Sequence, residues 1–234
     1  MITSFYTAAT GAIQLQKGLD VTANNIANVS TSGFQSQKNS FADLVYTNIH
    51  APEDADTELV TGHGTKLAKA DTVFSTGVLN KTMRSLDYAL PASHQFFAID
   101  TGNGVEYTRN GNFRISIEQG GNYLVSSDGG YVLDANGQRI RVEKEDEPAP
   151  VGVFTFQNCD GLSRSAGTYF HATELSGQPR VVEDAEVKQG YLEGASVSIP
   201  DEMTSILEIQ RAFQMNSKIV QMSDEIMQTV NSMR

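Results

Sequence analysis

Residues 200–233, PDEMTSILEIQRAFQMNSKIVQMSDEIMQTVNSM, decide the fold of this chain. Apolar residues recur here at spacings of three and four, which predicts one long amphipathic helix. The a/d row of its heptads contains Ile206, Ile209, Phe213, Asn216, Val220, Ser223, Met227 and Val230. Other apolar residues, such as Ile226, lie on neighbouring rows and widen the apolar face to about half of the circumference, which suits a helix with more than one neighbour.

The start of this helix is marked in the sequence. Ser198-Ile-Pro-Asp201 fits a capping box, and Pro200 suits the first helical turn. An unbroken helix over this stretch is about 50 Å long, because each residue adds about 1.5 Å.

The opposite end of the chain, residues 2–28, has a similar pattern. Its seam keeps the three-four spacing and is interrupted by Gln16; its members are Ile2, Phe5, Ala9, Ala12, Leu19, Ala23 and Ile26. The alanines allow a partner helix to approach closely, and Lys17 and Asp20 are the only charged residues of the segment. We therefore predict a second long helix with an a/d seam.

Long apolar helices at both termini need partners, because chain ends are otherwise poorly ordered. One hypothesis is that the helices pair with each other and then with neighbouring copies, so that the chain is an assembling subunit. The alternative is a compact α+β monomer whose helices pack on the region between them. The scarcity of charge on both helices favours assembly, since so many exposed apolar side chains would promote aggregation.

The region between the helices is rich in turn signals, such as Asn110-Gly and Asp128-Gly-Gly. The predicted strands are Gln95–Asp100, Gly104–Thr108, Phe113–Ile117, Tyr123–Ser126, Tyr131–Asp134 and Val151–Gln157. A short helical face is predicted from Phe41, Leu44, Val45 and Ile49, before an acidic loop at 51–58.

The predicted fold class is therefore α+β, with paired terminal helices as a coiled-coil base and a central all-β domain. We expect an N-terminal helix and signature at 1–34, a connecting segment at 35–85, a β-rich domain at 86–190 and a C-terminal helix at 191–234. The first and last segments would form one discontinuous domain. The segment of about 86–190 is expected to fold by itself.

Composition excludes several classes of partner. The net charge is −11, from 17 basic and 28 acidic residues, and no basic run occurs, which argues against nucleic acid. No stretch approaches the roughly 18 apolar residues that span a membrane, and the N-terminus does not resemble a cleaved secretory signal. The single cysteine, Cys159, is expected to be a buried structural residue.

A search for catalytic chemistry returns no candidate. The four histidines are isolated from other metal-ligating residues, so that no metal site is predicted. Asp134-Ala-Asn-Gly-Gln138 lacks the acidic residues of a calcium loop and fits a β-turn better. No phosphate-binding or dinucleotide-binding motif occurs, so no cofactor and no enzymatic activity are predicted.

Motifs at both ends and in the middle of the chain carry a family resemblance. Ala23-Asn-Asn-Ile-Ala-Asn-Val-Ser-Thr-Ser-Gly-Phe34 resembles the N-terminal signature of the bacterial flagellar rod and hook proteins, the axial family. Gln189-Gly-Tyr-Leu-Glu-Gly194 and Gln210-Arg-Ala-Phe213 resemble the C-terminal signature, and Tyr107-Thr-Arg-Asn-Gly-Asn-Phe113 resembles the β domain of the rod proteins. The motif residues carried over are Asn24, Asn25, Asn28, Gly33, Phe34, Gln210, Arg211 and Asn216.

The resemblance implies a structural subunit of the flagellar basal-body rod, of the proximal or distal type. Such subunits are exported unfolded by the flagellar type III apparatus without a cleaved signal. They polymerise with each other and with other rod and hook proteins into a hollow helical tube that carries torque across the cell envelope. The terminal helices line the tube and the β domain lies outside, with no insertion into a membrane.

Residues from both helices are then expected to form the assembly interface. They are Phe5, Ala12, Leu19, Ala23, Ile26, Ile206, Ile209, Phe213, Asn216, Val220, Ile226, Met227 and Val230. Two other hypotheses stay open at this point. One is a secreted β-rich binding module that its terminal helices oligomerise, and the other is an enzyme whose active site combines residues distant in sequence.

Overall fold

The computed structural model describes residues 3–48, 60–102, 104–118, 121–142 and 148–233. Two long helices and many short strands give an α+β protein, as predicted. The chain forms two compact units. The first contains residues 1–26, 37–71 and 198–234, and the second contains residues 27–36 and 72–197.

The first unit contains both helices, α1 (Thr3–Ala27) and α2 (Ile199–Ser232). Both lie within a residue or two of the predicted bounds, because each carries a three-four apolar pattern over most of its length. Ser198 is the N-cap residue of α2, and a proline occupies the first turn. The Ser198 side chain makes no capping hydrogen bond, so that the predicted capping box is wrong in that respect.

Four strands complete the first unit. They are β1 (Gln37–Asp43), β2 (Tyr46–Asn48), β3 (Val60–Gly62) and β4 (Thr65–Thr72), and they pair as β1 with β4 and β2 with β3. The helical face predicted from Phe41, Leu44 and Val45 is therefore wrong. Pairing with distant strands overrides a short apolar spacing that fits a helix only locally. Ile49 and the loop 51–58 lie outside the described residues.

The second unit is built around a nine-stranded sheet. Its longest path runs β13 (Ser163–Arg164), β14 (Tyr169–His171), β8 (Val105–Thr108), β7 (Gln95–Asp100), β11 (Tyr131–Val132), β10 (Gly121–Ser126) and β9 (Phe113–Glu118). Strand β12 (Val153–Thr155) also pairs with β7, and β15 (Arg180–Val181) pairs with β12. Two small two-stranded sheets join β5 (Leu79–Lys81) to β17 (Tyr191–Glu193) and β6 (Tyr88–Ala89) to β16 (Lys188–Gln189).

Two apolar cores cover the faces of the central strand β7. Phe97 and Ile99 point into the first core, and Phe96 and Ala98 point into the second. Strand β7 therefore has apolar residues on both faces, because a core covers each face of this central strand. Cys159 is buried in the second core, as predicted.

The predicted strands all occur, but most differ from their predicted length. Strand β7 matches its predicted bounds, whereas β11 and β12 are shorter than the apolar runs that suggested them. Asp134-Ala-Asn-Gly-Gln138 is a turn in which the Asp134 carboxylate accepts hydrogen bonds from the backbone of Asn136 and Gln138, each at 2.8 Å.

Candidate assembly surfaces and the joint between the sequence motifs

The two terminal helices bury almost no large apolar side chain. The buried residues of α1 are small or polar, namely Ala8, Gly11, Gly18, Thr22 and Asn25. In α2, Ser223 is the only buried residue among 34. Helices in folded proteins gain most of their stability from packing an apolar face. Within the single chain, α1 and α2 therefore lack their usual source of stability.

Contacts between α1 and α2 recur every seven residues. Ser4 Oγ lies 3.3 Å from Ser223 Oγ, and Asn25 Nδ2 donates to Glu202 Oε1 at 2.8 Å. Between these ends, a Cβ atom on Gly11 would lie 2.9 Å from Asn216 Nδ2, and one on Gly18 would lie 3.8 Å from Ile209 Cδ1. Residue numbers rise along α1 as they fall along α2, so the two helices run antiparallel.

The predicted N-terminal seam lies one position away from this row of contacts. Phe5, Ala12, Leu19 and Ile26 each directly follow one of the contacting residues Ser4, Gly11, Gly18 and Asn25. Phe5 and Leu19 remain exposed, as does Ala23, whereas Ala12 and Ile26 are half-buried. Small residues make the contact with α2, and the larger apolar residues beside them stay accessible.

Helix α2 exposes large apolar side chains around most of its circumference. Ten of its large apolar side chains are between 37% and 61% exposed: Ile199, Met203, Leu207, Phe213, Met215, Ile219, Met222, Ile226, Met227 and Val230. Of the predicted interface residues on α2, Ile206, Ile209, Asn216 and Val220 are half-buried, whereas Phe213, Ile226, Met227 and Val230 are exposed. We refer to the ten exposed residues as the α2 apolar face.

Asn25 joins three elements of the first unit. Its side chain is 1% exposed, donates to Gln37 O at 2.8 Å and accepts from Gln37 N at 3.0 Å. The same amide group donates to Glu202, at the start of α2. Burial raises the pKa of the Glu202 carboxyl above its ordinary value of 4.5, whereas the hydrogen bond from Asn25 opposes this shift.

The second unit contains a buried ion pair between Arg109 and Glu193. Arg109 Nη2 lies 2.8 Å from Glu193 Oε2, and both side chains are 1% exposed or less. The guanidinium also donates to the carbonyl oxygens of Leu90, Ala92 and Gln95, at 2.8 to 3.1 Å. Every donor group of Arg109 is thus used, as burial of a charged side chain requires.

Residues of the N-terminal signature bind to the same ion pair. Gln35 Nε2 donates to Glu193 Oε1 at 3.3 Å, and Gly33 N donates to Glu193 O at 2.9 Å. Phe34 is 2% exposed, and the Arg164 guanidinium lies 4.9 Å from its ring centroid. We call Gln35, Arg109 and Glu193, together with Gly33, the motif joint.

Gly33 is required by its backbone conformation and by its neighbours. Its φ is +70°, a value that residues with a side chain rarely adopt. A Cβ atom there would lie 2.4 Å from Asn110 N, which is too close for any substituted residue.

The structure brings some of the predicted motif residues together and leaves others apart. Gly33 and Phe34 lie in or beside the motif joint, and Asn28 accepts a hydrogen bond from Thr31 Oγ1 at 3.2 Å in the turn before it. Asn24, Gln210 and Arg211 are exposed on the helices.

Sequence analysis missed Arg109, Glu193 and Gln35 as site residues. Arg109 and Glu193 stand inside two of the quoted motifs, Arg109 directly after strand β8 and Glu193 as the last residue of strand β17. A charged residue in such a position is a usable signal of a buried pair. The sequence, however, does not show which charge pairs with which.

Among the described residues, no group of His, Cys, Asp or Glu side chains is arranged to hold a metal ion. None of the helices in the described part of the chain is long and apolar enough to span a membrane.

Comparison with known proteins identifies the family. The family described as "Flagella basal body rod protein" matches residues 5–35, and "Flagellar basal body rod FlgEFG protein C-terminal" matches residues 188–233. The flagellar basal-body rod protein FlgG of Bacillus subtilis is 33% identical over 267 aligned residues, covering 100% of both chains.

Two further relatives that are also described as flagellar basal-body rod protein FlgG support the same family. The Agrobacterium fabrum protein is 31% identical, with 96% of each chain covered, and the Borreliella burgdorferi protein is 29% identical, with 100% of this chain and 99% of the relative covered. These relatives do not favour a secreted binding module. The chain therefore belongs to the flagellar basal-body rod protein family, a family of structural proteins.

Proposed function

We propose that this chain assembles with copies of itself into the flagellar basal-body rod, a hollow helical tube that transmits torque, and that its terminal helices form the subunit contacts. The observation that carries the proposal is the α2 apolar face. A helix of 34 residues with one buried residue and ten exposed large apolar side chains needs a partner outside its own chain.

The energy available from this face suits self-assembly. Burying a whole Leu, Ile, Met or Phe side chain stabilises by about 1.5–3 kcal/mol, and about half of each exposed side chain remains to be buried. Ten such residues provide on the order of 10 kcal/mol, which is comparable with the roughly 4–15 kcal/mol cost of association.

The composition of the face suits contacts with several different neighbours. Five of the seven methionines of the chain lie between residues 203 and 233. Methionine side chains are flexible and polarisable, and they adapt to differently shaped partners. In a helical polymer each subunit meets neighbours in more than one direction, so that one helix must pack against surfaces of different shape.

We further propose that α1 and α2 pair as a coiled coil in the assembled rod. The seven-residue spacing of their contacts supports this, because heptad spacing keeps one seam facing the partner helix. The small residues of α1 permit a close approach. The predicted interface residues Phe5, Leu19 and Phe213 would then face other copies.

The remaining parts of the proposal rest on the family. The expected partners are copies of this chain, other rod and hook proteins and the flagellar type III export apparatus. The expected location is the basal body in the cell envelope. Helices that lack buried apolar residues in the single chain are compatible with export before assembly.

The test is a charge placed on the α2 apolar face. In cells that carry only the Phe213→Asp variant, we expect no rod and no motility, because a carboxylate cannot be buried among apolar neighbours without a large cost. Phe213→Leu is the matched control and should retain motility, since it keeps an apolar side chain. The readouts are swimming in soft agar and the subunit content of isolated basal bodies.

Normal motility of the Phe213→Asp strain would overturn the proposal. Circular dichroism and urea unfolding of the purified variant would show the second unit unchanged, because Phe213 belongs to the first unit.

A further inference from the structure

We propose that one face of the β sheet in the second unit binds an acidic turn of a neighbouring copy of this chain. The inference rests on the proposed assembly and adds to it a specific pair of surfaces. The first surface, here called the Arg–Tyr face, consists of Arg114, Glu118, Tyr123, Tyr131, Arg139 and Arg141. The second, here called the acidic turn, consists of Glu183, Asp184 and Glu186.

The strand register places the Arg–Tyr face on one side of β9, β10 and β11. Val125 lies opposite both Arg114 and Tyr131, and Tyr123 forms a bridge with Arg141. Opposite residues of an antiparallel pair share a face. The other side of these strands carries Phe113, Leu124 and Val132 into the first core, so that the arginines and tyrosines point away from it.

Apart from Arg114, the side chains of this face contact one another before any partner binds. The rings of Tyr123 and Tyr131 meet edge to face at 5.8 Å, and Arg139 lies 4.0 Å above the Tyr131 ring. Tyr131 OH donates to Glu118 at 2.5 Å, and Arg141 donates to Tyr123 OH at 3.2 Å. A surface that is ordered in advance loses less conformational entropy on binding.

The residue types are those that carry most of the energy in protein interfaces. Tyrosine and arginine are enriched among residues whose truncation weakens binding most. Three of the nine arginines of the chain lie on this face, although the net charge of the chain is −11. Arg114 is exposed and makes no ion pair or side-chain hydrogen bond within the described residues.

The acidic turn is the complementary surface on the same unit. It follows β15, and Val182, Ala185 and Val187 pack against the first core. The alternating acidic residues between them are therefore exposed. Among the described residues, Glu183 and Asp184 form no ion pair, and Glu186 lies 3.8 Å from Lys188.

A second copy of the chain is the partner that these charges favour. Copies with a net charge of −11 repel one another, so that a contact in which a positive surface faces a negative one is favoured. Each copy carries both surfaces. A contact between two different surfaces of identical chains is heterologous, and such contacts continue into open helical polymers.

Disulfide cross-linking of the full chain tests the contact directly. Cys159 is replaced by alanine, and Ser116→Cys beside Arg114 is combined with Asp184→Cys, which leaves all three arginines in place. Isolated basal bodies are oxidised mildly and separated without reductant. We expect a ladder of multimers from the double-cysteine chain and no ladder from either single-cysteine chain, because a head-to-tail contact links each copy to the next.

A charge exchange provides the second test. Arg114→Glu with Arg141→Glu should reduce the amount of subunit in basal bodies at least tenfold, and adding Glu183→Arg with Asp184→Arg should restore most of it. The matched control replaces Glu174, an exposed acidic residue outside the turn, with arginine in the same background and should restore nothing.

The outcomes separate this inference from the proposed function. If the chain is present in basal bodies but forms no ladder and the charge exchange restores nothing, the contact is wrong and assembly through the helices stands. If the unsubstituted chain is absent from basal bodies, the proposed function fails and this inference fails with it.

Discussion

At the scale of single residues, several motif residues of this chain stabilise its own folded structure. Arg109 and Glu193 come from two separate motifs and Gln35 directly follows a third, and they meet in one buried ion pair with its hydrogen bonds. The joint links the end of the N-terminal signature to the start of the C-terminal one. Burial thus accounts for Arg109 and Glu193, whereas Asn24, Gln210 and Arg211 are exposed.

Breaking the buried pair should be far more costly than breaking an exposed one. Glu193→Gln leaves the Arg109 charge buried without a counter-charge, and we expect a loss of about 3–5 kcal/mol in the free energy of unfolding. Asp100→Asn is the matched control, because Asp100 and Arg139 are also 2.8 Å apart, but their side chains are partly exposed, at 24% and 48%. Its expected cost is below about 1 kcal/mol. Urea unfolding measures both, and equal costs would contradict the role of burial.

A second prediction concerns Gly33. Gly33→Ala places a Cβ atom against the backbone of Asn110 in addition to straining the positive φ, so that we expect a loss of more than about 2 kcal/mol. Gly137 has a similar φ of +76° with no atom near its Cβ position. Gly137→Ala should therefore cost only the conformational strain, about 1 kcal/mol. Thermal unfolding of the two variants separates the clash from the strain.

At the scale of elements, the structure changes how the terminal helices are understood. Their contact row consists of small and polar residues, and the row beside it holds the apolar residues that the sequence pattern emphasises. Asn25 is the clearest case, since it connects α1 to β1 and α2 through its amide group.

Removal of this amide should loosen the first unit. Asn25→Ala leaves the backbone groups of Gln37 and the Glu202 carboxylate without their partner, and we expect a loss of about 2–4 kcal/mol. Hydrogen exchange should show faster exchange in β1 and in the first turns of α2. Gln16→Ala, at an exposed position of the same helix, is the control and should change exchange little.

The pH dependence of the same contact follows from Glu202. Its pKa is raised on folding, so the folded chain binds this proton more tightly than the unfolded chain does. Its contribution to stability is therefore complete below the unfolded pKa and is lost as the pH rises through the folded pKa.

Glu202→Gln should remove this part of the pH dependence and still accept the hydrogen bond from Asn25. Urea unfolding of both chains at about pH 5 and about pH 7 measures the difference. We expect the variant to lose less stability than the wild type over this interval. An equal loss in both chains would contradict the assignment to Glu202.

At the scale of the whole molecule, each unit contains segments that are distant in sequence. The second unit includes residues 27–36 together with 72–197, and the motif joint requires both parts. This changes which fragment of the β region is expected to fold by itself.

A fragment of residues 86–190 lacks Gln35 and Glu193, so that Arg109 would be buried without its carboxylate. We expect this fragment to be largely unfolded, whereas a fragment of residues 27–197 should retain the β structure. Near-ultraviolet circular dichroism and urea unfolding compare the two. A cooperative transition of the shorter fragment with the stability of the longer one would contradict the importance of the joint.

The sequence by itself determined the two long helices, the central strand β7 and the family. These features depend on local periodicity and on motifs read in order along the chain. The predicted helical face at 41–49 failed because a short spacing cannot compete with strand pairing.

Only the tertiary structure decided which row of each helix faces the other and which charges are paired. The row of Ser4, Gly11, Gly18 and Asn25 faces α2, because small side chains allow the two helices to approach closely. Small residues give no apolar signal in the sequence. Arg109 and Glu193 are 84 positions apart, and their pairing depends on where the strands bring their backbones together. Electrostatic pairing and close packing depend on distances between atoms in the folded chain, and the order of residues alone does not give these distances.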